Sequence, residues 1–118
     1  MQSLRHQRVR ELLKREIGEI IRREVASGDA GLITVNDVGL AGDLQSATVF
    51  VGIVGSSDQQ RKGLEILKKE RLRIQGLLGR AVVLKYTPRL RFVRDDSIER
   101  GNRVLQILDE LERTLPPS

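Results

Sequence analysis

Residues 57–93 read SDQQRKGLEILKKERLRIQGLLGRAVVLKYTPRLRFV, and this stretch decides the fold. Its first part is helical in pattern to about Ala81: Leu64, Leu67, Ile74, Leu77 and Leu78 supply one apolar face. Ser57 with Gln60 matches a capping box, so the helix is expected to begin there. Gly76 and Gly79 weaken the second half, so the passage reads as two helices or one kinked helix. A kink needs a cause, and no glycine or proline lies between Arg71 and Gln75; the break is therefore expected near Gly76, with the helix running past Leu72. The last part changes period. Val82–Val93 should hold a strand in which Arg89 and Arg91 face one side and Leu90 and Phe92 the other. Pro88 has no N–H for a ladder, which places it at an edge or a bend.

Upstream, residues 3–26 read as a helix. Val9, Leu12, Leu13, Ile17, Ile20 and Ile21 make its buried stripe, and Arg8, Arg15 and Arg22, seven apart, form a row on the opposite side. Ser27-Gly28-Asp29-Ala30-Gly31 ends it. Two strands follow, at about Leu32–Leu40 and Ala47–Val54, joined by a hairpin connection at residues 41–46. Downstream, Asp96 and Glu99 offer a second capping box. Val104, Leu105, Leu108 and Leu111 mark a last helix before a frayed end at about 113–118. The expected class is α+β, a single domain over residues 1–118. Its α-β-β-α-α-β core is the order of a type II KH-like domain, with an additional C-terminal helix.

Charge is sorted along the chain. The formal total over 118 residues is +5. Residues 1–23 hold seven Lys/Arg against three Asp/Glu, and residues 24–60 hold five acids and no Lys/Arg. Residues 61–94 then hold eleven Lys/Arg against two acids, and residues 95–118 hold three against six. If the two basic blocks meet in the fold, one face becomes strongly positive. The candidate RNA-binding residues are Arg5, Arg8, Arg15 and Arg22 on the first helix, then Lys68, Lys69, Arg71, Arg73, Arg80, Lys85, Arg89, Arg91 and Arg94. Only Phe50, Tyr86 and Phe92 are aromatic, which favours recognition of phosphates and shape over base stacking.

Other chemistries find little support. His6 is the single histidine, there is no cysteine, and no convergent set of metal ligands or phosphate-binding glycine loop is present. No catalytic residue, metal or cofactor is expected. No apolar run approaches membrane-spanning length. The GXXG pattern with which KH domains grip a nucleic-acid backbone occurs at Gly39–Gly42, Gly52–Gly55 and Gly76–Gly79. Three matches in so short a chain carry little information, and Leu77-Leu78 look buried rather than phosphate-facing.

These residues resemble the ribosome-binding factor A family over nearly the whole chain. The likeness rests on Arg8-Val9 leading into a basic helix, and on Val35-Asn36-Asp37-Val38 followed by Gly42-Asp43-Leu44-Gln45-Ser46-Ala47-Thr48-Val49-Phe50-Val51. It continues through Leu78-Gly79-Arg80, then Leu84-Lys85-Tyr86-Thr87-Pro88-Arg89-Leu90-Arg91-Phe92, and Asp96-Ser97-Ile98-Glu99. The resemblance implies a non-catalytic, cytoplasmic, monomeric assembly factor. Its partners would be the maturing small ribosomal subunit and its rRNA, and it would support rRNA processing, often in the cold. Two features depart from the family pattern. The small residue and glycine that usually build an interhelical kink are replaced by Glu70-Arg71-Leu72, followed by Gln75 where an arginine is usual. The Asp-Pro-Arg-like turn after the first helix is also missing.

Overall fold

A computed structural model of the protein describes residues 4–25 and 30–95. The expected last helix and its Asp96–Glu99 cap lie outside these residues. The described elements are α1 (Leu4–Glu24), β1 (Leu32–Leu40), β2 (Ser46–Val54), α2 (Ser57–Lys69), α3 (Arg71–Ala81) and β3 (Arg89–Arg94). This is the α-β-β-α-α-β order read from the sequence. No helix among the described residues is long and apolar enough to cross a membrane.

One sheet has the order β1-β2-β3, with β1 antiparallel and β3 parallel to β2. Ala47, Val49, Val51 and Ile53 of β2, with Leu90 and Phe92 of β3, turn beneath the helices, which supply Leu13, Ile17, Ile20, Leu67, Ile74 and Leu78. Alternation then puts Arg89 and Arg91 on the far side of the sheet, where both are exposed. Asn36 forms a bulge in β1 between Val35 and Asp37. The hairpin closes through Ala41 N–H to Ser46 O and Leu44 N–H to Ala41 O, both 3.0 Å. Leu44 adopts φ 62°, a left-handed conformation uncommon outside glycine, and packs against the core.

Two sequence expectations are corrected. The capping box is Ser56 with Gln59, one residue earlier than expected. Ser56 is the extended residue, its Oγ accepts the Gln59 N–H at 3.2 Å, and its own N–H donates to Gln59 Oε1 at 2.8 Å. Ser57 is already helical.

The helical passage breaks at Glu70, not at Gly76. Glu70 has φ −89° and ψ 7°, a region open to any residue, so no glycine is required. Its N–H still donates to Ile66 O, and its carbonyl accepts from Ile74 N–H. The bend thus reorients the chain while keeping both bonds. It lets α2 pack on β2 and β3 while α3 leans on α1. Arg73 braces the new direction, bonding Glu24 of α1 at 2.6 Å and approaching Glu70 at 3.7 Å. Gly76 and Gly79 sit inside regular α3. A Cβ at Gly76 would meet open space, whereas one at Gly79 would stand 2.9 Å from Thr87 Oγ1. Gly79 therefore admits the loop before β3; it does not bend the helix.

Candidate nucleic-acid interface

β3 is an edge strand, and the C-terminal end of α2 with the start of α3 runs beside it. Together they form an open groove of about 530 Å³ lined by Leu64, Lys68, Arg71 and Arg89–Arg94. The sequence dictates this local grouping. Leu64 and Lys68 lie four apart on one flank of α2, and Arg71 opens α3 on the same flank because Ile74 and Leu78 are turned into the core. Arg89 and Arg91 are forced outward because Leu90 and Phe92 are buried.

Among the described residues, Lys68, Lys69, Arg71, Arg89 and Arg91 stand within ion-pair distance of no carboxylate. Arg94 is held by Gln60, whose Oε1 accepts from Arg94 Nη1 at 2.8 Å. Asp95, the acid next along the chain, accepts from Asn36 Nδ2 at 3.4 Å across the sheet. Lys68 and Lys69 also suit the last turn of α2, where a cation complements the helix dipole. No such structural reason covers Arg89 and Arg91, two like charges on one side of one strand.

The remaining candidates fall elsewhere. Arg8, Arg15 and Arg22 project from α1 on the side opposite the buried Leu13, Ile17 and Ile20, and Arg15 and Arg22 line a cleft shared with β1. The two basic blocks do meet where α3 packs on α1, but alternation puts Arg89 and Arg91 on the face of the sheet opposite the helices, so these two do not share a surface with the α1 row. Arg15 also stands 3.5 Å from Glu16, and Arg22 pairs with Glu19. That hydrogen bond and charge hold the Glu19 carboxyl below the usual carboxylate range and raise Arg22 above its own. Arg5 and Arg8 are exposed and unpaired among the described residues, and Arg5 lies in a first turn that has no acid. Arg73 is committed to Glu24 and Glu70. Arg80 occupies the last turn of α3, and the Lys85 ammonium sits 5.5 Å from the centre of the Tyr86 ring. A larger cleft of about 880 Å³ between α1 and β1 mixes Glu11 and Glu19 with Lys14, Arg15 and Arg22, so its charge is largely self-compensated.

None of the three GXXG strings lies at the helix–helix junction. Gly76–Gly79 is within α3, and Leu78 is fully buried. The junction is Lys69-Glu70-Arg71. Sequence reasoning overlooked the role of Gln60 and Gln75 in holding β3; an uncharged amide among so many cations was the available signal. Among the described residues no group of three His, Cys, Asp or Glu side chains could hold a metal ion.

The sequence profile described as Ribosome-binding factor A matches residues 5–108. The chain belongs to the ribosome-binding factor A family. It is 43% identical over 115 residues to ribosome-binding factor A of Opitutus terrae, covering 98% of this chain and 93% of that one. It is 38% identical over 111 residues to that of Macrococcus caseolyticus, covering 94% and 97%. The crystal structure of ribosome-binding factor A from Thermus thermophilus superposes with a TM-score of 0.66 at 26% identity, over 75% of this chain and 93% of that one. A homology model of the Thermus factor, fitted into the cryo-EM map of a 30S–ribosome-binding factor A complex, gives a TM-score of 0.63 at 26% identity, over 74% and 91%. In this member of the ribosome-binding factor A family, the interhelical bend is thus made by Glu70 without a small residue.

Proposed function

We propose that this protein binds the maturing small ribosomal subunit, seats the groove beside β3 on rRNA phosphates, and supports rRNA processing by binding rather than by catalysis. The observation that carries the reading is the cluster of Lys68, Arg71, Arg89 and Arg91 around one edge strand, with no carboxylate partner among the described residues. Holding like charges together costs free energy unless a polyanion joins them, and rRNA is such a partner. The kinship with a factor fitted into a 30S complex supports the choice of subunit. Arg94, with Lys69 at the rim, extends the positive surface, and Arg5 and Arg8 offer a second, smaller contact. The scarcity of aromatic rings favours shape and phosphate recognition over base stacking. The protein acts in the cytoplasm as a single-domain monomer without a cofactor.

Gradient sedimentation of cell lysate tests the partner. The protein should co-migrate with small subunits or their precursors and leave them as salt rises from roughly 50 to 200 mM, because phosphate contacts release counterions. Migration at the top of the gradient at low salt would exclude the reading.

A further inference from the structure

In β3 the backbone of every second residue faces β2. Arg89 N–H donates to Gln45 O at 2.9 Å and Asp95 N–H to Val51 O at 2.7 Å. With Ser46 paired to Arg89 and Thr48 to Arg91, the odd-numbered residues carry the ladder. The amides of Leu90, Phe92 and Arg94 therefore point out of the sheet toward the groove. One of them is claimed: Gln75 Oε1, from α3, accepts the Leu90 N–H at 3.1 Å in a partly buried position. Among the described residues this is the one side-chain bond between α3 and the backbone of β3.

We propose that Gln75 is the positioning residue of the groove, holding Arg89 and Arg91 at a set distance from Arg71 by anchoring the amide that lies between them. The inference rests on the groove being the rRNA contact. Arg71 and Gln75 are four residues apart, hence neighbours on one flank of α3. The Leu90 amide is flanked directly by Arg89 and Arg91. One hydrogen bond thus ties the α3 cation and the two β3 cations into a single rigid set. An edge strand paired on one side only is otherwise free to tilt, and each degree of freedom left in a cation is lost again when phosphate binds. Arginine or lysine at position 75 would add charge to the groove, yet neither can accept an N–H. The glutamine supplies the acceptor without placing a negative charge among the cations.

The test uses the full chain and purified small ribosomal subunits. Gln75→Met keeps the length of the side chain and removes the acceptor. It should speed hydrogen exchange at the Leu90 amide and weaken subunit binding about fivefold, the ordering cost expected when freed side chains must be fixed on binding. Gln75→Glu, which can still accept, should restore slow exchange at Leu90. The deciding measurement is Gln75→Met combined with Arg89→Gln and Arg91→Gln. If Gln75 acts through those arginines, the fivefold loss disappears in the doubly neutralised background. The same loss in both backgrounds would overturn the positioning role while leaving the groove intact. Wild-type affinity in the Arg89→Gln/Arg91→Gln protein would instead overturn the groove as the rRNA contact.

Discussion

The outer row of α1 and the groove beside β3 are both rich in arginine, yet they differ in what surrounds the charge. Along α1, Arg10, Arg15, Arg22 and Arg23 each stand within 4 Å of a glutamate one or three residues away. Around β3, Lys68, Arg71, Arg89 and Arg91 have no such neighbour among the described residues. Counting basic residues ranks the two regions as similar; the local field does not. Arg89 and Arg91 lie on a strand among apolar neighbours. Lys68 and Arg71 are helical with Glu65 and Glu70 close in sequence, yet among the described residues no carboxylate closes on either of them; Glu70 approaches Arg73 instead. The uncompensated set is therefore the stronger candidate for a polyanion.

The largest effect should come from reversing charge in the groove. Arg89→Glu with Arg91→Glu is expected to weaken binding to small subunits on the order of a hundredfold, since like charges set against phosphate are strongly disfavoured. Circular dichroism should stay unchanged because both side chains are exposed. Neutralising the same pair to Gln should lower the slope of log affinity against log salt by about two, one for each phosphate no longer neutralised. Arg15→Gln and Arg22→Gln, tested in the same titrations, should leave that slope close to wild type. A drop equal to that of the β3 pair would erase the contrast between the regions.

Smaller effects separate the two glycines of α3. Gly76→Ala should stabilise the domain by roughly 0.5–1 kcal/mol in denaturant unfolding, because its Cβ meets nothing and the helix gains propensity. Gly79→Ala should fall short of that gain, since its Cβ must displace Thr87. The smallest effect belongs to α1. The folded-state pKa of Glu19 lies below its ordinary value, so its pairing with Arg22 stabilises above the usual carboxylate range. That contribution fades as pH falls through the depressed pKa. Thermal melts of Arg22→Gln should match wild type at low pH and fall slightly behind only above that range.

Much of the fold was legible because its signals are local. The stripe in α1, the alternation of Ala47, Val49, Val51 and Ile53, and the alternation of Arg89 to Phe92 are each read within one element. The bend at Glu70 was not. Leu67, Ile74 and Leu78 keep helical spacing straight across it, so the apolar pattern carries no phase break, and the change is one backbone angle that glutamate tolerates. Gly79 misled for the same reason: its need comes from Thr87, part of a loop whose approach no helical pattern records. In the candidate site, the outward pair Arg89 and Arg91 was legible from alternation alone. Which cations are already spent was not, because Arg73 is engaged by Glu24, 49 residues away.

The parallel pairing of β3 with β2 has a consequence for how the protein comes into being. β1 and β2 join through a tight turn and can pair as soon as both exist. Ser46 meets Arg89 only after α2 and α3 have been laid across the sheet, so this pairing is of long range and belongs to the slow part of folding. The groove, built from that last strand and the helix junction above it, does not exist in a half-formed chain. Partly folded molecules would carry the same net charge but not the same arrangement of arginines. A newly made chain thus acquires the groove only together with its final fold.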